Sequence, residues 1–488
     1  MLIKKNNYFL LKYWAFTWSL IIFGYLLFFP YYFEICSYSS FGKNSIFPLH
    51  TFFLFNKALI FYGIDMMSLI FLILTGFLFV IVFYYLTASY MVELKKFFIL
   101  LYFLYFFLIH IFTAQNLLFF FFFFESSIIP MFLLILVGGS RFQKTKAAYY
   151  FFFFTVFGSL FMFISINFLL LNFGSVNIHT LINKTQSLDF YTQSLIWLSF
   201  FLSFAVKIPM FAFYTWLPEA HVEAPTVGSV LLAGILLKLG VYGCIRVLFF
   251  LFPEVNFYFS SYVYIFALIS VIFSSLIAIR QTDIKRIIAY ASISHMNIIM
   301  IGLYSFDSIG IYGAIYQSVS HALVSSALFL LIGILYDRYK SRLLSYYSGL
   351  TQTMPIFSAF FLFFILANIS FPLTSNFIGE LLIFIGISKL NLGLLILSLF
   401  SIILNSIYSL WFCNRLIYGN IKSHLLINFK DLNMTEFVTL TILAICVLIL
   451  GIYPSILLSL PSNYYYSLEY YCICLEMVGK FYNPSVPF

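Results

Sequence analysis

The sequence predicts an all-α polytopic membrane protein with about 13 transmembrane helices, two of them discontinuous. Of its 488 residues, 63% are hydrophobic and only 8% are charged, namely 25 Lys and Arg plus 16 Asp and Glu. A water-soluble chain has about 25% charged residues, so this composition cannot cover a soluble surface. Disorder is excluded too, because disordered chains combine low hydrophobicity with high charge.

The individual spans follow from length. A spanning helix requires about 20 mostly apolar residues. The runs that qualify lie at residues 13–33, 66–90, 97–114, 116–138, 148–172, 194–216, 226–252, 261–279, 287–304, 310–336, 353–388, 392–414 and 435–459. The first run is longer than the apolar region of a signal peptide and has no small-residue cleavage site after it. An interrupted run at 46–62 is a doubtful fourteenth span.

The distribution of basic residues supports thirteen spans rather than fourteen. With thirteen, alternate loops carry 15 and 5 basic residues, whereas the doubtful span would change this to 13 and 7. The rich side holds Lys4, Lys5, Lys95, Lys96, Arg141, Lys144, Lys146, Arg280, Lys285, Arg286, Arg338, Lys340, Arg342, Lys422 and Lys430. The poor side holds Lys43, Lys57, Lys184, Lys389 and Lys480. We therefore expect the N-terminus on the inner side, and the net charge of +9 reflects topology rather than nucleic-acid binding.

Four ionisable residues lie deep in the predicted spans, namely Glu125, Lys207, Lys238 and Glu380. A charge at the centre of a membrane helix costs about 2.5–3.5 kcal/mol, and such residues usually face a hydrated interior that conducts ions or protons. A purely structural ion pair between two helices is the alternative explanation for Glu125. Lys238 is flanked by Gly234, Gly240 and Gly243, which predict close approach of neighbouring helices.

Two prolines interrupt spans beside these charges. Pro209 follows Lys207 by two residues, and Pro372 precedes Glu380 by eight. Discontinuous helices at corresponding positions are typical of inverted-repeat transporters, in which they surround a central ion site. We therefore expect one repeat in each half of the chain. The predicted divisions are N-terminal transmembrane segments at 1–96, a first repeat at 97–252, a second repeat at 261–414, and a C-terminal helix and tail at 415–488.

Two histidines in the spans are candidates either for proton relays or for ordinary packing residues. His295 and His321 lie in the ninth and tenth spans with Ser and Gln nearby. Because imidazole titrates near neutral pH and can pass a proton through either nitrogen, the two are candidate relays. Hydrogen-bonded packing histidines are the alternative. His110 has no polar neighbours in the sequence, so we expect a structural role there.

Residues 217–225, LPEAHVEAP, form a predicted loop that is dense in ionisable groups. The spacing of Glu219, His221 and Glu223 lacks the helical i, i+4 geometry of zinc proteases. The six cysteines include no C-x-x-C pair, so we expect neither a zinc site nor an iron–sulfur cluster. No residue is predicted to bind a metal. A point of proton uptake or an interface with another subunit is the favoured interpretation.

Long motifs connect these residues to a known family. Residues 216–246 read WLPEAHVEAPTVGSVLLAGILLKLGVYGCIR. Other motifs read YGIDMMSL, FFESSIIP, RQTDIKRIIAYASISHMNI, SHALVSSALFLLIGILYDR and LANISFPLTSNFIGE, so that the resemblance covers about 70% of the chain. Together they resemble the antiporter-like membrane subunits of mitochondrial respiratory complex I, NADH:ubiquinone oxidoreductase. The AHVEAP and SFPLTSNFIGE contexts favour the fourth subunit over the second or fifth.

The resemblance implies a proton-translocating membrane-arm subunit of the mitochondrial inner membrane. The matching residues are Glu125 and Lys207 of the first half-channel, Lys238 at the centre, His295 and His321 of the polar axis, and Glu380 on the exit side. It implies no cofactor in this chain, with flavin and iron–sulfur clusters in partner subunits. The implied partners are the other membrane-arm subunits, especially sibling antiporter-like subunits, and lipids.

Two departures and three alternatives follow from the same comparison. The family usually has fourteen spans with both termini outside, so we expect one N-terminal span fewer, an N-terminus in the matrix and a C-terminus in the intermembrane space. The aromatic tail after Leu460 is unlike the family and predicts a contact with lineage-specific subunits. The alternatives are a subunit of a multi-subunit sodium/proton antiporter, a sibling complex I subunit, and a structural subunit whose charges only hold helices together.

Overall fold

The computed structural model describes residues 8–37, 47–52, 60–88, 94–139, 141–421 and 430–458, which are mostly helical. The helices are α1 (Tyr8–Ser37), α2 (Met66–Ala88), α3 (Leu94–Thr113), α4 (Leu117–Ser126), α5 (Ile128–Gly138), α6 (Lys144–Phe173), α7 (Ile178–Thr185), α8 (Phe190–Lys207), α9 (Trp216–Glu223), α10 (Thr226–Leu231), α11 (Lys238–Gly243), α12 (Pro253–Arg280), α13 (Ile284–Leu303), α14 (Ser308–Tyr339), α15 (Leu350–Thr353), α16 (Pro355–Asn368), α17 (Ser375–Ser388), α18 (Leu392–Ile417), α19 (Met434–Ile452) and α20 (Ser455–Leu458). Two π-helical turns, Leu232–Leu236 and Cys244–Phe249, continue α10 and α11, and a 3₁₀ turn covers Leu344–Tyr346.

The prediction of about 13 transmembrane helices is confirmed. Within the described residues, eleven helices are long and apolar enough to cross a membrane. One of them joins α4 and α5, and another joins α10, α11 and the π-helical turns. The discontinuous helices α8–α9 and α16–α17 supply two further crossings, broken near Pro209 and Pro372 as predicted.

The doubtful run at 46–62 does not form a spanning helix where it is described. Its described residues lie in β1 (Phe47–Phe52) and β2 (Ile60–Ile64), which pair antiparallel. A two-stranded hairpin leaves unpaired backbone groups at its edges and therefore cannot cross lipid. The tail after Leu460, with its predicted subunit contact, lies outside the described residues.

The most buried helices carry buried polar side chains. The most apolar windows of Thr226–Phe249 and of α14 are completely buried. By contrast, α12, α18 and α19 expose large apolar side chains, as helices in contact with lipid do. The buried centre includes Lys238, His295 and His321, each at most 1% exposed. Polar groups are therefore concentrated inside the helix bundle.

Helices α14 and α17 are in direct backbone contact along a seam of glycines. A Cβ atom added at Gly313 would lie 2.6 Å from the backbone nitrogen of Ile383. One added at Gly386 would lie 2.5 Å from the Cα of Gly310. Since no side chain fits at either position, both are places where only glycine permits the observed distance between the helices.

The order of elements has the same form in each half. Five crossings lie in the first half (α3, α4–α5, α6, α8–α9 and α10–α11) and five in the second (α12, α13, α14, α16–α17 and α18). In both sets the fourth crossing is the broken one. The exact division of the chain into repeats at 97–252 and 261–414 stays a prediction.

Candidate functional site

The break between α8 and α9 is held open by side chains from the second half of the chain. Pro209 has no N–H and cannot continue a helix. Ser270 Oγ on α12 accepts a hydrogen bond from the Phe211 N–H at 2.6 Å, and Asn297 Nδ2 on α13 donates to the Pro209 carbonyl at 3.3 Å. Irregular backbone at membrane depth is stable when it is buried in protein in this way.

Lys207 and Glu125 lie near each other at this break. Lys207 ends α8, is 2% exposed, and places its ammonium 4.6 Å from the ring centroid of Phe124. Glu125 on α4 is half-buried, within hydrogen-bonding reach of Ser159, and electrostatically coupled to Lys207. Among the residues that the structure describes, Lys207 Nζ and Glu125 Oε1 have no hydrogen-bond partner. The predicted pair is therefore close but not joined.

Lys238 is positioned by a π-helical turn. Such a turn moves the backbone hydrogen bonds from i−4 to i−5 and is frequent at functional sites. Lys238 lies two residues after the end of the turn Leu232–Leu236. Its Nζ donates a hydrogen bond to the Ala233 carbonyl at 2.5 Å. The same Nζ lies 2.9 Å from His321 Nδ1. The lysine is thus fully buried but directly bonded to a histidine of α14.

The three glycines around Lys238 lie at close helix contacts, as expected from the sequence. The nearest side-chain atoms to an added Cβ would be at 2.6 Å in Leu78 for Gly234, at 2.5 Å in Ile208 for Gly240, and at 2.3 Å in Phe204 for Gly243. Two of these contacts are with the end of α8 and the break that follows it. The close packing fixes the Lys238 helix against the α8 end that carries Lys207.

A continuous row of buried side chains connects Lys238 to Glu380. The rings of His321 and His295 have centroids 5.4 Å apart. His295 Nδ1 lies 3.1 Å from Glu380 Oε1, and Gln317 Nε2 donates to the same oxygen at 3.3 Å. The row therefore runs from α11 through α14 and α13 to α17, just beyond the second break.

Asn405 on α18 determines which nitrogen of His295 carries the proton. Its Nδ2 donates to the Asn368 carbonyl at 2.8 Å, which fixes the orientation of the amide, and lies 3.3 Å from His295 Nε2. An amide NH₂ only donates, so Nε2 of a neutral His295 must accept. The proton of His295 is then on Nδ1, on the side of Glu380.

The same argument applies to His321. When Lys238 is charged, its ammonium has three donors and no acceptor, so His321 Nδ1 accepts its hydrogen bond. The proton of His321 is then on Nε2, which has no hydrogen-bond partner among the described residues. In this arrangement each imidazole has one donor nitrogen and one acceptor nitrogen.

The predicted loop at 217–225 is wrong, because most of it is helical. Helix α9 covers Trp216–Glu223 and is the second half of the broken helix. Its start is fixed by the Trp216 indole, which donates to the Val206 carbonyl at 2.9 Å. Pro218 lies in the first turn, where proline is compatible with a helix. The proline and the three ionisable residues concealed this short helix in the sequence.

His221 lies beside the row. From the sequence it was expected only to lie in a loop. It is 0% exposed, and its ring stacks on Phe329 at 4.4 Å between centroids. It is electrostatically coupled to Lys285, Lys238 and His321. Neither ring nitrogen has a hydrogen-bond partner among the described residues. The signal available in the sequence was a histidine two residues from Glu223 next to a broken helix.

The chemistry that this arrangement supports is proton transfer between amine, imidazole and carboxyl groups. His110 lies apart from the row and packs on aromatic rings, 4.7 Å from Phe123 and 4.2 Å from Phe106 between centroids. Across the described ranges, no group of three or more His, Cys, Asp or Glu residues is placed to hold a metal ion.

Broken helices around a buried lysine–histidine–carboxylate row define an antiporter-like membrane subunit. The chain belongs to the family described as NADH:quinone oxidoreductase/Mrp antiporter, transmembrane, whose model matches residues 114–407. That segment contains both breaks and every predicted site residue.

Individual relatives agree with the resemblance seen in the motifs. NADH-ubiquinone oxidoreductase chain 4 of Marchantia polymorpha is 48% identical over 304 residues, and that of Triticum aestivum is also 48% identical over 304 residues. NADH-quinone oxidoreductase subunit M of Rickettsia typhi is 41% identical over 305 residues. The matches cover 62% of this chain and only 61–62% of each relative. The predicted resemblance to the fourth subunit is confirmed.

Solved structures share the fold. A chain of respiratory complex I from Thermus thermophilus with bound NADH matches with a TM-score of 0.76 and 27% identity, covering 84% of this chain and 85% of that chain. A chain of the Mrp complex from Dietzia sp. matches with a TM-score of 0.77 over 94% of this chain and 93% of that one. At 16% identity, the second match shows the fold alone.

Proposed function

We propose that this chain is a proton-translocating membrane-arm subunit of respiratory complex I, in which NADH:ubiquinone electron transfer drives proton pumping. The observation that carries the proposal is the buried row from Lys238 to Glu380, where three titratable groups follow a lysine at hydrogen-bonding or ring-contact distances. Burying so many ionisable groups in a membrane is costly, and such groups usually mark proton or ion pathways.

In this proposal a proton moves along the row by exchange at opposite ring nitrogens. Lys238 donates to His321 Nδ1 while His321 releases its Nε2 proton toward His295. His295 then releases its Nδ1 proton to Glu380, which discharges toward the outer side. The His295 Nε2 that must accept the incoming proton is engaged with Asn405 at 3.3 Å, a distance long enough for a weak, replaceable hydrogen bond.

Glu125 and Lys207 form the first half-channel of the proposal, in which Glu125 tunes the charge of Lys207. Their unpartnered Oε1 and Nζ atoms support a hydrated space between them, because a buried polar atom without a partner costs about 1–3 kcal/mol unless water bonds to it. A pair that can bond and separate can hold and release a proton in alternation.

The proposal also covers the membrane in which the chain lies, its orientation there and its partners. The names of the mitochondrial relatives support the inner membrane, and the excess of Lys and Arg on one side supports an N-terminus in the matrix. Sibling antiporter-like subunits are proposed as the main partners, with lipids against α12, α18 and α19. We propose that flavin and iron–sulfur clusters are bound by partner subunits and that this chain binds no cofactor.

A sodium/proton antiporter subunit is the competing proposal, and it rests on the shared fold. The relatives named as chain 4 favour complex I, since their 48% identity is far higher than the 16% identity to the Mrp complex chain. Purification of the native complex decides between the two. Co-purification with flavin and iron–sulfur subunits is expected, and their absence would favour the antiporter.

The proposed function is tested by Lys238→Met in the assembled complex. Loss of a positioned proton-transfer group slows the transfer by about 10²–10⁴-fold, so pumping through this chain should stop. The measurement is the number of protons pumped per NADH oxidised by reconstituted vesicles. Lys184→Met, which removes an exposed lysine in α7, is the matched control and should pump normally. Normal stoichiometry in Lys238→Met, with only assembly reduced, would support the structural alternative instead.

A further inference from the structure

A second group of buried charges lies at the inner end of the molecule, outside the row. Glu223 ends α9, Lys285 begins α13, and Arg342 follows α14, and all three are at most 2% exposed. They lie on the side whose loops carry most of the basic residues. Lys285 also interacts electrostatically with Asp283 and with Asp337 on α14, and Arg342 interacts with Asp283 and Arg141. Charges of both signs therefore face one another in this group.

The contacts within this group join α9 to the two helices that carry His295 and His321. Arg342 Nη1 lies 3.7 Å from Glu223 Oε1. Lys285 Nζ donates to the Ala224 carbonyl at 2.7 Å, at the C-terminal end of α9, where a positive charge is favoured. The Arg342 guanidinium stacks on Tyr336 at 4.2 Å. These contacts connect the end of the broken helix to α13 and to the residues that follow α14.

The Glu223–Arg342 ion pair is loose for a buried pair. A direct charge-assisted hydrogen bond has a length of about 2.7–2.9 Å, well below the observed 3.7 Å. Glu223 Oε2 and Arg342 Nε have no hydrogen-bond partner among the described residues. Glu219, one turn earlier on α9, instead forms a direct 2.7 Å ion pair with Arg286 that is about a third exposed. The buried pair can therefore separate with little loss of hydrogen bonding if water enters.

His221 lies beside this group. It precedes Glu223 by two residues on α9, and it interacts electrostatically with Lys285 of the group and with Lys238 of the row. Both of its ring nitrogens are buried without a hydrogen-bond partner among the described residues, so water at either nitrogen would stabilise it. Because Glu223 ends α9 on the inner side, the group lies nearer the inner surface than His221 does.

We propose that the Glu223–Arg342 ion pair is the inner gate of the proton path: it is closed in this structure and opens to admit water to His221 and Lys238. The proposal rests on the proposed function and adds to it the point at which access from the inner side is controlled. A pair that only fastens α9 to α13 and α14 is the competing explanation.

The test compares Glu223→Gln with Glu219→Gln in the complete complex, reconstituted in vesicles. Loss of the gate leaves the inner path permanently hydrated, so Glu223→Gln should at least halve the protons pumped per NADH and raise the passive proton leak without NADH. NADH oxidation itself should continue. Glu219→Gln removes a carboxylate from the same helix outside the gate and should leave both quantities unchanged. Normal pumping and leak in Glu223→Gln would overturn the proposal.

A double variant separates the gate from simple destabilisation. Glu223→Gln alone leaves Arg342 buried without its partner, which can reduce assembly. Glu223→Gln with Arg342→Gln removes both charges, so it should assemble normally and still leak. A double variant with wild-type pumping would contradict the gate. If Lys238→Met stops pumping while the gate variants pump normally, only the gate is wrong; if Lys238→Met pumps fully, the proposed function itself fails.

Discussion

At the scale of single residues, the uncharged amide Asn405 contacts both the His295 ring and the second break. It places the His295 proton on the Glu380 side and at the same time bonds the Asn368 carbonyl at the second break. One side chain thereby contacts both the histidine whose proton position it determines and the backbone at the end of a broken helix. An exchange of donor and acceptor at His295 therefore requires that this amide move.

Replacement of Asn405 tests this arrangement. Asn405→Leu keeps a similar volume but removes the donor to His295 and to the Asn368 carbonyl, and leaving a buried carbonyl unbonded costs about 1–3 kcal/mol. We expect fewer protons pumped per NADH and a lower thermal stability of the complex. Asn414→Leu, at an exposed position of the same helix, is the matched control. Unchanged pumping in the first variant would show that Asn405 does not orient His295.

Charged residues of the site could be predicted from the sequence, whereas uncharged ones could not. Glu125, Lys207, Lys238 and Glu380 are conspicuous because a charge in lipid is expensive. Asn405 and Gln317 are not, since an amide on a membrane helix costs less and bonds equally well to its neighbours. Which amide meets which imidazole depends on the packing of helices far apart in the chain, and no local pattern records it.

At the scale of elements, prolines revealed both breaks, but the π-helical turns and α9 had no such signal. Pro209 and Pro372 each remove a backbone donor and stop a helix. The π-helical turn before Lys238 contains only apolar residues and glycine, and all five of its residues are buried. Such turns depend on tertiary packing and cannot be read from periodicity.

The second break depends on close contact with α19. A Cβ atom at Gly451 would lie 2.0 Å from the carbonyl oxygen of Leu373, a backbone atom that cannot turn away. Gly451→Ala should therefore displace α19 from the break and destabilise the chain by about 1–3 kcal/mol, as overpacking does. Thermal unfolding of the purified complex measures this. Gly24→Ala, where nothing lies within 4 Å of the added Cβ, should not lower stability, and equal melting of the two variants would contradict the contact.

At the scale of the whole molecule, five crossings in each half have a topological consequence. Because five is odd, a second set of crossings begins on the opposite side of the membrane from the first. The connections between the third and fourth crossings of the two halves, at Ser187 and at Ser345, then lie on opposite sides of the membrane. With the proposed orientation, Ser187 is outside and Ser345 is inside. An inverted relation between the halves thus follows from counting elements alone.

Cysteine labelling tests that relation. Ser187→Cys should react with a membrane-impermeant thiol reagent only from the outer side of sealed vesicles, and Ser345→Cys only from the inner side. Both serines are exposed, and the change to cysteine is nearly isosteric. The chain without either substitution measures the reaction of its own six cysteines. Labelling of both positions from the same side would contradict the inverted arrangement.

The glycine seam between α14 and α17 limits how the molecule can move. With backbone atoms in contact at Gly313 and Gly386, sliding or rotation of one helix past the other would bring side chains into positions where none fits. Hence we expect α14 and α17 to move together as a rigid body, which keeps the spacing between His321 and Glu380 constant. Any conformational change that opens the site to one side of the membrane and then to the other must therefore occur elsewhere. Spectroscopic probes of such a change should be placed across α9 rather than along this seam.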